Sequence, residues 1–111
     1  MTTTTVKNHS LEPIIKTLKN QFIQIYNHRL THLILFGSQA RGDAQQYSDI
    51  DILVVLKGNV NCVEEIKSNS NLISNLCLDY DAVINCFYIS ESRLNEDSLF
   101  INNIKKEGLL L

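Results

Sequence analysis

Residues 35–43 read Leu-Phe-Gly-Ser-Gln-Ala-Arg-Gly-Asp, and residues 47–55 read Tyr-Ser-Asp-Ile-Asp-Ile-Leu-Val-Val. The second stretch carries two carboxylates, Asp49 and Asp51, two residues apart in a predicted strand that is otherwise apolar from Ile50 onward. Because side chains alternate across a strand, both carboxylates are expected on one face. Two like charges side by side are costly, and a shared divalent cation removes that cost. Mg²⁺ commonly binds one or two protein carboxylates, with water and phosphate oxygens in its other positions.

A glycine-serine turn, Gly37-Ser38, ends the first apolar run where a short helix is expected to begin. Backbone N–H groups at a helix start favour phosphate. A cation site and an anion site at this spacing together predict phosphoryl or nucleotidyl transfer. Plainer alternatives stay open, because the two aspartates fit a surface pair at a strand edge and Ser38 fits a simple helix cap.

The bulk composition is that of a small globular protein. The chain has 111 residues, is 44% apolar and 20% charged, and carries a formal net charge of −2. The absence of a dense basic block predicts no direct nucleic-acid binding, and no apolar run approaches the ~20 residues of a membrane span. The start of the chain is polar and does not resemble a secretion signal. Three cysteines without CxxC spacing favour reduced thiols and a cytoplasmic location.

Apolar periodicity predicts a disordered lead-in over residues 1–9 and a single domain over residues 10–111. The first helix is expected to follow a cap at Ser10 and to run to about residue 28. The second is expected from residue 60 or 61 to about 78, unless the run of Ser and Asn over 68–71 breaks it. A last helix is expected after a cap at Ser90 or Asp97. Strands are expected over residues 33–36, 50–56 and 82–89, and the apolar tail 109–111 is either a last strand or part of a partner interface.

The inner faces of these helices follow from the spacing of apolar residues. The expected inner positions include Ile25 in the first helix, Val63 and Ile66 in the second, and Leu99 and Phe100 in the last. The element order predicts an α/β (α+β) fold. We expect a small mixed sheet of three or four strands with helices packed mainly on one face.

The pattern Gly37-Ser38, ten residues, then Asp49-x-Asp51 resembles the nucleotidyltransferase superfamily that includes DNA polymerase beta. The fuller string Gly-Ser-x-Ala-Arg-Gly followed by Ser-Asp-Ile-Asp is similar to the minimal nucleotidyltransferases of bacteria and archaea. Residues 100–108 also resemble the C-terminal helix of those proteins. The resemblance covers residues 11–111 and implies a polymerase beta-like nucleotidyltransferase fold.

The resemblance also implies roles for individual residues. Gly37 and Ser38 would hold the triphosphate of ATP, and Asp49 and Asp51 would bind two Mg²⁺ ions that stabilise the attacking and leaving oxygens. Arg41 would either lie near the phosphate path or brace the loop by pairing with a neighbouring carboxylate or a helix end.

One feature of the family pattern is not evident in this chain. The resemblance calls for a third carboxylate on a neighbouring strand, and residues 82–88 contain neither Asp nor Glu. Asp81 is the candidate for this third catalytic and metal-binding position, with Asp79 or Asn85 as alternatives. If none of them reaches the site, the chain would bind nucleotide and turn over slowly or not at all.

The size and motif of the chain are similar to those of antitoxins that are paired with a helical HEPN-domain toxin. That resemblance implies a toxin partner encoded by a neighbouring gene and transfer of AMP to a tyrosine of the toxin. The alternative is an antitoxin that neutralises its partner by binding alone. Homo-oligomerisation stays open from the sequence.

Overall fold

The computed structural model describes residues 2–3, 8–44 and 48–111. Its strands are β1 (Thr2–Thr3), β2 (Leu30–Phe36), β3 (Ile50–Leu56), β4 (Ile84–Ser90) and β5 (Leu109–Leu110). Its α-helices are α1 (Glu12–Tyr26), α2 (Ser38–Arg41), α3 (Cys62–Tyr80) and α4 (Leu99–Glu107). Short 3₁₀ turns cover His9–Leu11, Asn27–Arg29 and Glu91–Asn95. None of the helices in the described ranges has the length and apolar character needed to span a bilayer.

The described strands form one mixed sheet in the order β1-β5-β2-β3-β4. Strand β2 is antiparallel to β3 and β5, whereas β4 runs parallel to β3 and β1 runs parallel to β5. The predicted α/β fold class is confirmed. The two-residue strand β1 extends the predicted sheet at its edge, and it lies within the segment 1–9 that was expected to be disordered.

Helices cover both faces of the sheet, with the two long ones on the same face. Helices α1 and α3 pack over one face, where Phe22, Ile52 and Leu56 are fully buried. Helix α4 covers the opposite face through Ile101 and Ile104. The expectation of helices mainly on one face therefore holds for the long helices, and α4 closes the other side of the sheet.

Helix α1 begins at Glu12 with Leu11 in the cap position, one residue later than a cap at Ser10 predicts. Ser10 lies in a 3₁₀ turn, and its backbone N–H donates to the side chain of Asn8 at 3.1 Å. Pro13 stands in the first turn of α1, where its missing N–H costs nothing. The expected burial of Ile25 is wrong, since this side chain is 47% exposed and Tyr26, one turn after the buried Phe22, is buried instead.

Helix α3 is continuous through the segment where a break was considered. Asn69 lies in the middle of that segment and is 2% exposed. Its Nδ2 donates to the hydroxyls of Tyr26 and Tyr88 at 2.7 and 3.2 Å, and these hydrogen bonds offset the cost of burying the amide. The expected burial of Val63 and Ile66 is wrong, as they are 59% and 53% exposed. Ile66 lines an open cleft beside β4, and because β4 is the edge strand of the sheet that the described residues form, this side chain stays exposed.

Helix α4 also differs from the prediction at its start. Its cap is Ser98, whose Oγ accepts from the N–H of Ile101 at 3.2 Å, so neither Ser90 nor Asp97 is the cap. The expected burial of Leu99 and Phe100 is wrong, since they are 79% and 40% exposed. The apolar tail forms β5 against β2, which is the first of its two predicted alternatives.

Candidate active site

The candidate site begins where β2 ends. Phe36, the last residue of β2, pairs with Asp51 in β3, and the chain then turns sharply at Gly37 into α2. Gly37 has φ 75° and ψ −159°, a combination that is essentially restricted to glycine. The fold therefore requires glycine at this turn on backbone grounds alone.

A second constraint on Gly37 comes from its neighbour. A Cβ added to Gly37 would collide with Oδ2 of Asp51. Because no side chain intervenes, the turn into α2 lies directly against the Asp51 carboxylate. The structure thus brings together two residues that the sequence had assigned to the anion half and the cation half of one site.

Ser38 is the first residue of α2, and Gly37 occupies the cap position without a side-chain hydrogen bond. The plainer alternative, in which Ser38 is only the helix cap, does not hold, because Gly37 takes the cap position. Within α2 the N–H groups of Ala40 and Arg41 donate to the carbonyl of Gly37 at 3.1 Å. The amides of Ser38 and Gln39 precede these donors, as the first N–H groups of a helix do.

The two aspartates converge on a third polar side chain in the next strand. Asn85 in β4 is the register partner of Asp51, and its Nδ2 donates to Oδ2 of Asp49 at 2.9 Å and to Oδ1 of Asp51 at 3.2 Å. The predicted same-face arrangement of Asp49 and Asp51 is therefore present. Both carboxylates have oxygen atoms directed toward one shared donor.

Asp81 lies elsewhere. It ends α3 in the left-handed conformation, with φ 51° and ψ 53°, and it lines a cavity of about 410 Å³ together with Gln39 and Ser48. Within the described residues, no three His, Cys, Asp or Glu side chains are grouped so as to hold a metal ion. Of the three candidates for the third position, Asn85 is the one in contact with both aspartates. The sequence alone does not single out Asn85, because the register between β3 and β4 is a tertiary property.

The donor chemistry of this cluster fits Mg²⁺. Two carboxylates and an amide offer hard oxygen ligands, which Mg²⁺ prefers. The two carboxylates already converge on a donor group at 2.9 and 3.2 Å, so a cation would find them preorganised. Asp49 and Asp51 are the residues that would hold such an ion.

Gln39 is a site-shaping residue that the sequence pattern treated as a variable position. Its side chain is 4% exposed, and its Nε2 donates to the carbonyl of Ser48 at 3.2 Å. This bond ties α2 to the residue that precedes Asp49. A buried glutamine in a short helix leaves no periodic signal, so only the structure reveals it.

Arg41 makes the carboxylate pairs that its second predicted alternative describes. Its Nε donates to Asp43 at 3.2 Å and a terminal nitrogen donates to Glu107 of α4 at 3.2 Å. The hydrogen bond to Asp43 and then that to Glu107 raise the pKa of the guanidinium above its usual value. These contacts join the end of α2 to the end of α4 beside a cavity of about 200 Å³ that Gly37 also lines.

The fold and this site define a nucleotidyltransferase domain. The chain belongs to the nucleotidyltransferase domain family, whose sequence profile matches residues 15–111. Among curated proteins, it is 39% identical over 102 residues to MJ0604 of Methanocaldococcus jannaschii, a candidate protein adenylyltransferase, covering 90% of this chain and 96% of the relative. A second candidate protein adenylyltransferase of that organism, MJ0141, is 37% identical over 71 residues, which is 64% of this chain and 71% of the relative.

Solved structures show the same fold at lower identity. A toxin–antitoxin crystal structure with AMP-PNP superposes with a TM-score of 0.60 at 18% identity, covering 87% of this chain and 70% of that one. A nucleotidyltransferase-like protein from Sulfolobus solfataricus gives 0.58 at 24% identity, with 93% and 86% covered. A variant of the MntA-HpeT toxin–antitoxin gives 0.58 at 19% identity, with 86% and 70% covered. The predicted nucleotidyltransferase family is confirmed.

Proposed function

We propose that this chain is a Mg²⁺-dependent nucleotidyltransferase that transfers AMP from ATP to a tyrosine hydroxyl of a helical HEPN-domain toxin, and thereby acts as its antitoxin. The observation that carries the proposal is the contact between the Gly37 turn and the carboxylate of Asp51. It puts the proposed triphosphate site and the proposed metal site side by side. The likeness to candidate protein adenylyltransferases and to a toxin–antitoxin solved with AMP-PNP supports the acceptor class and the nucleotide.

In this proposal the residues of the chain act mainly by positioning, as in other phosphoryl transfers. Asp49 and Asp51 would hold the cation, while the turn at Gly37 and Ser38 would bind triphosphate oxygens through backbone amides. Bound Mg²⁺ supplies neutralisation of the charge that builds on the phosphates and the departing pyrophosphate. The tyrosine hydroxyl loses its proton to solvent water and its oxygen attacks the α-phosphorus, the bond from that phosphorus to the oxygen bridging to the β-phosphate breaks, and pyrophosphate leaves.

We assign this function to residues 10–111 acting as one domain, in the cytoplasm, where thiols such as Cys62 stay reduced. Asp81 and Asp79 remain candidates for a third carboxylate that acts once partner and nucleotide are bound. Arg41 remains a candidate for phosphate contact in that complex.

A second function, neutralisation of the toxin by binding alone, has one observation in its favour. The side chain that joins Asp49 and Asp51 is the neutral amide of Asn85. An amide cannot take a proton from the acceptor hydroxyl, so turnover would depend on how readily that hydroxyl loses its proton.

The test is to incubate the chain with the helical protein encoded beside it, Mg²⁺, and ATP labelled at the α-phosphate. We expect the label on a tyrosine of the partner, located by mass spectrometry, and its loss with Asp49→Asn or Asp51→Asn. Asp79→Asn and Asp81→Asn are the matched carboxylate controls, and loss of label in either one assigns it a catalytic part. Tight complex formation without label, unaffected by all four substitutions, would establish the binding-only function instead.

A further inference from the structure

We infer that Asn85 makes this a one-cation site, in which Asp49 and Asp51 share a single divalent ion with the nucleotide and no second ion enters beside them. The inference rests on the proposed function, because it states how many cations the same site takes. It differs from the two ions that the family resemblance implies.

The charges of the cluster support a single ion. Its described members are two carboxylates and one neutral amide, and no third His, Cys, Asp or Glu joins them within residues 2–3, 8–44 and 48–111. The two negative charges of the protein balance one divalent cation, so a second ion would have to be held by the triphosphate oxygens alone. Two such cations a few ångströms apart repel each other strongly, and Asn85 contributes no charge to offset that repulsion.

The geometry of Asp51 also limits the space for a second ion. Its Oδ1 accepts from Asn85 at 3.2 Å, while its Oδ2 lies against the backbone of Gly37. The β4 side of the carboxylate is therefore taken by the amide, and the β2 side is taken by the turn. A single ion would take the place where Asn85 Nδ2 now bridges Oδ2 of Asp49 and Oδ1 of Asp51.

Asn85 has a positioning role in this arrangement. Its NH₂ group donates to both carboxylates and keeps them convergent when no cation is present. Because an amide carries a donor and an acceptor, a half-turn of the side chain would present its oxygen to the bound ion. A carboxylate at residue 85 would repel Asp49 and Asp51 in the empty site and would attract a further cation.

The test counts manganese ions in crystals. Crystals of the protein with MnCl₂ and a non-hydrolysable ATP analogue are measured near the manganese absorption edge, for the native chain, Asn85→Asp and Asn85→Ala. We expect one anomalous peak between Asp49 and Asp51 in the native chain, two peaks in Asn85→Asp, and one in Asn85→Ala. Manganese binding measured in solution is expected to be about tenfold weaker in Asn85→Ala, since residues that orient ligands commonly have effects of this size.

Each other outcome has a distinct meaning. Two peaks in the native chain overturn the one-cation inference and leave the proposed function standing. One peak in both the native chain and Asn85→Asp also overturns it, because the charge of residue 85 would then not set the ion count. If the native chain shows no anomalous peak, with nucleotide present or absent, both the proposed Mg²⁺-dependent function and the one-cation inference are contradicted. If Asn85→Asp does not fold, as judged by thermal unfolding, the native count and the affinity of Asn85→Ala decide the matter, and an unchanged affinity counts against the positioning role.

Discussion

The backbone of Gly37 lies in contact with the carboxylate of Asp51, and this contact joins the turn after β2 to the face of β3. Gly37→Ala is expected to destabilise the protein in two ways. The backbone conformation of Gly37 costs about 1–3 kcal/mol for a residue with a side chain, and the new methyl group would displace Asp51. We therefore also expect nucleotide binding to fall at least about tenfold, because a displaced Asp51 no longer faces the cation.

Gly58 provides the matched control for this substitution. It also has a positive φ, 80°, but an added Cβ would meet nothing within 4 Å. Gly58→Ala should therefore show backbone strain alone, about 1–2 kcal/mol, with nucleotide binding unchanged. Urea unfolding and calorimetric titration with Mg²⁺ and an ATP analogue measure both effects. If the two variants had the same free energy of unfolding and the same nucleotide affinity, the contact between Gly37 and Asp51 would not contribute to nucleotide binding.

The carboxylate pair should also show a conflict between stability and binding. In the absence of cations, Asp49→Asn removes one of two like charges on the same face, and we expect it to raise the free energy of unfolding by about 0.5–1 kcal/mol. With saturating Mg²⁺ and nucleotide the order should reverse, because ligand at 100 times its Kd stabilises the native chain by about 2.7 kcal/mol. Thermal unfolding in EDTA and in Mg²⁺ with nucleotide tests this, and a stabilisation of Asp49→Asn by ligand equal to that of the native chain would contradict it.

The parts of the fold that the sequence predicted are those with strong local patterns. The apolar run over residues 50–56 predicts a buried strand from its composition, and the Gly-Ser pair at 37–38 predicts a turn. Asn69 shows the limit of this reasoning. A run of Ser and Asn has low helix propensity, yet α3 continues because two tyrosine hydroxyls, distant in sequence, accept from the buried amide.

The same limit applies to the site. Asp49 and Asp51 are recognisable because their spacing alone puts them on one face of a strand. The identification of Asn85 as their partner needed the pairing of Asp51 with Asn85 across β3 and β4, which no local pattern encodes. Helix faces were also mispredicted where an element lies at the edge of the fold, as for Ile66 beside the edge strand β4.

The two alternatives for Arg41 can be separated by comparing it with its partner in α4. The side chains of Arg41 and Glu107 are 43% and 34% exposed, so loss of this ion pair should cost no more than about 1 kcal/mol. If Arg41 only braces the loop, Arg41→Ala and Glu107→Gln should have similar small effects on nucleotide affinity. If Arg41 contacts phosphate, Arg41→Ala should weaken nucleotide binding about tenfold, whereas Glu107→Gln should not. Fluorescence or calorimetric titration at low ionic strength makes the comparison.

The buried polar cluster around Asn69 should be important for stability. Asn69→Leu removes the donor that serves the hydroxyls of Tyr26 and Tyr88, and a buried polar group left without its partner costs about 1–3 kcal/mol. The control is Asn71→Leu, two residues further along the same helix at an exposed position, where we expect a change within about 0.5 kcal/mol. Chemical unfolding of both variants measures the difference, and a neutral Asn69→Leu would show that the cluster is dispensable.

The same cluster predicts how stability changes at high pH. Burial is the largest cause that raises the pKa of Tyr26 from 10.0 to about 12, and burial likewise raises the pKa of Tyr88. In the unfolded chain both tyrosines lose their protons near pH 10. Above that pH the folded state holds more protons than the unfolded state, so the free energy of unfolding must fall as pH rises from about 10 toward 12.

The contribution of Tyr26 to this fall can be isolated with Tyr26→Phe, which removes the titrating hydroxyl and keeps the ring. We expect this variant to be less stable than the native chain at pH 8, since Asn69 loses an acceptor, and to lose stability less steeply between pH 10 and 11. The full contribution of one fully protected tyrosine is about 1.4 kcal/mol per pH unit, and the observed slope is smaller because the tyrosine of the unfolded chain is only partly ionised just above pH 10. Urea unfolding at intervals of half a pH unit gives the slopes. Identical slopes for the native chain and Tyr26→Phe would mean that Tyr26 ionises as readily in the folded state as in the unfolded one.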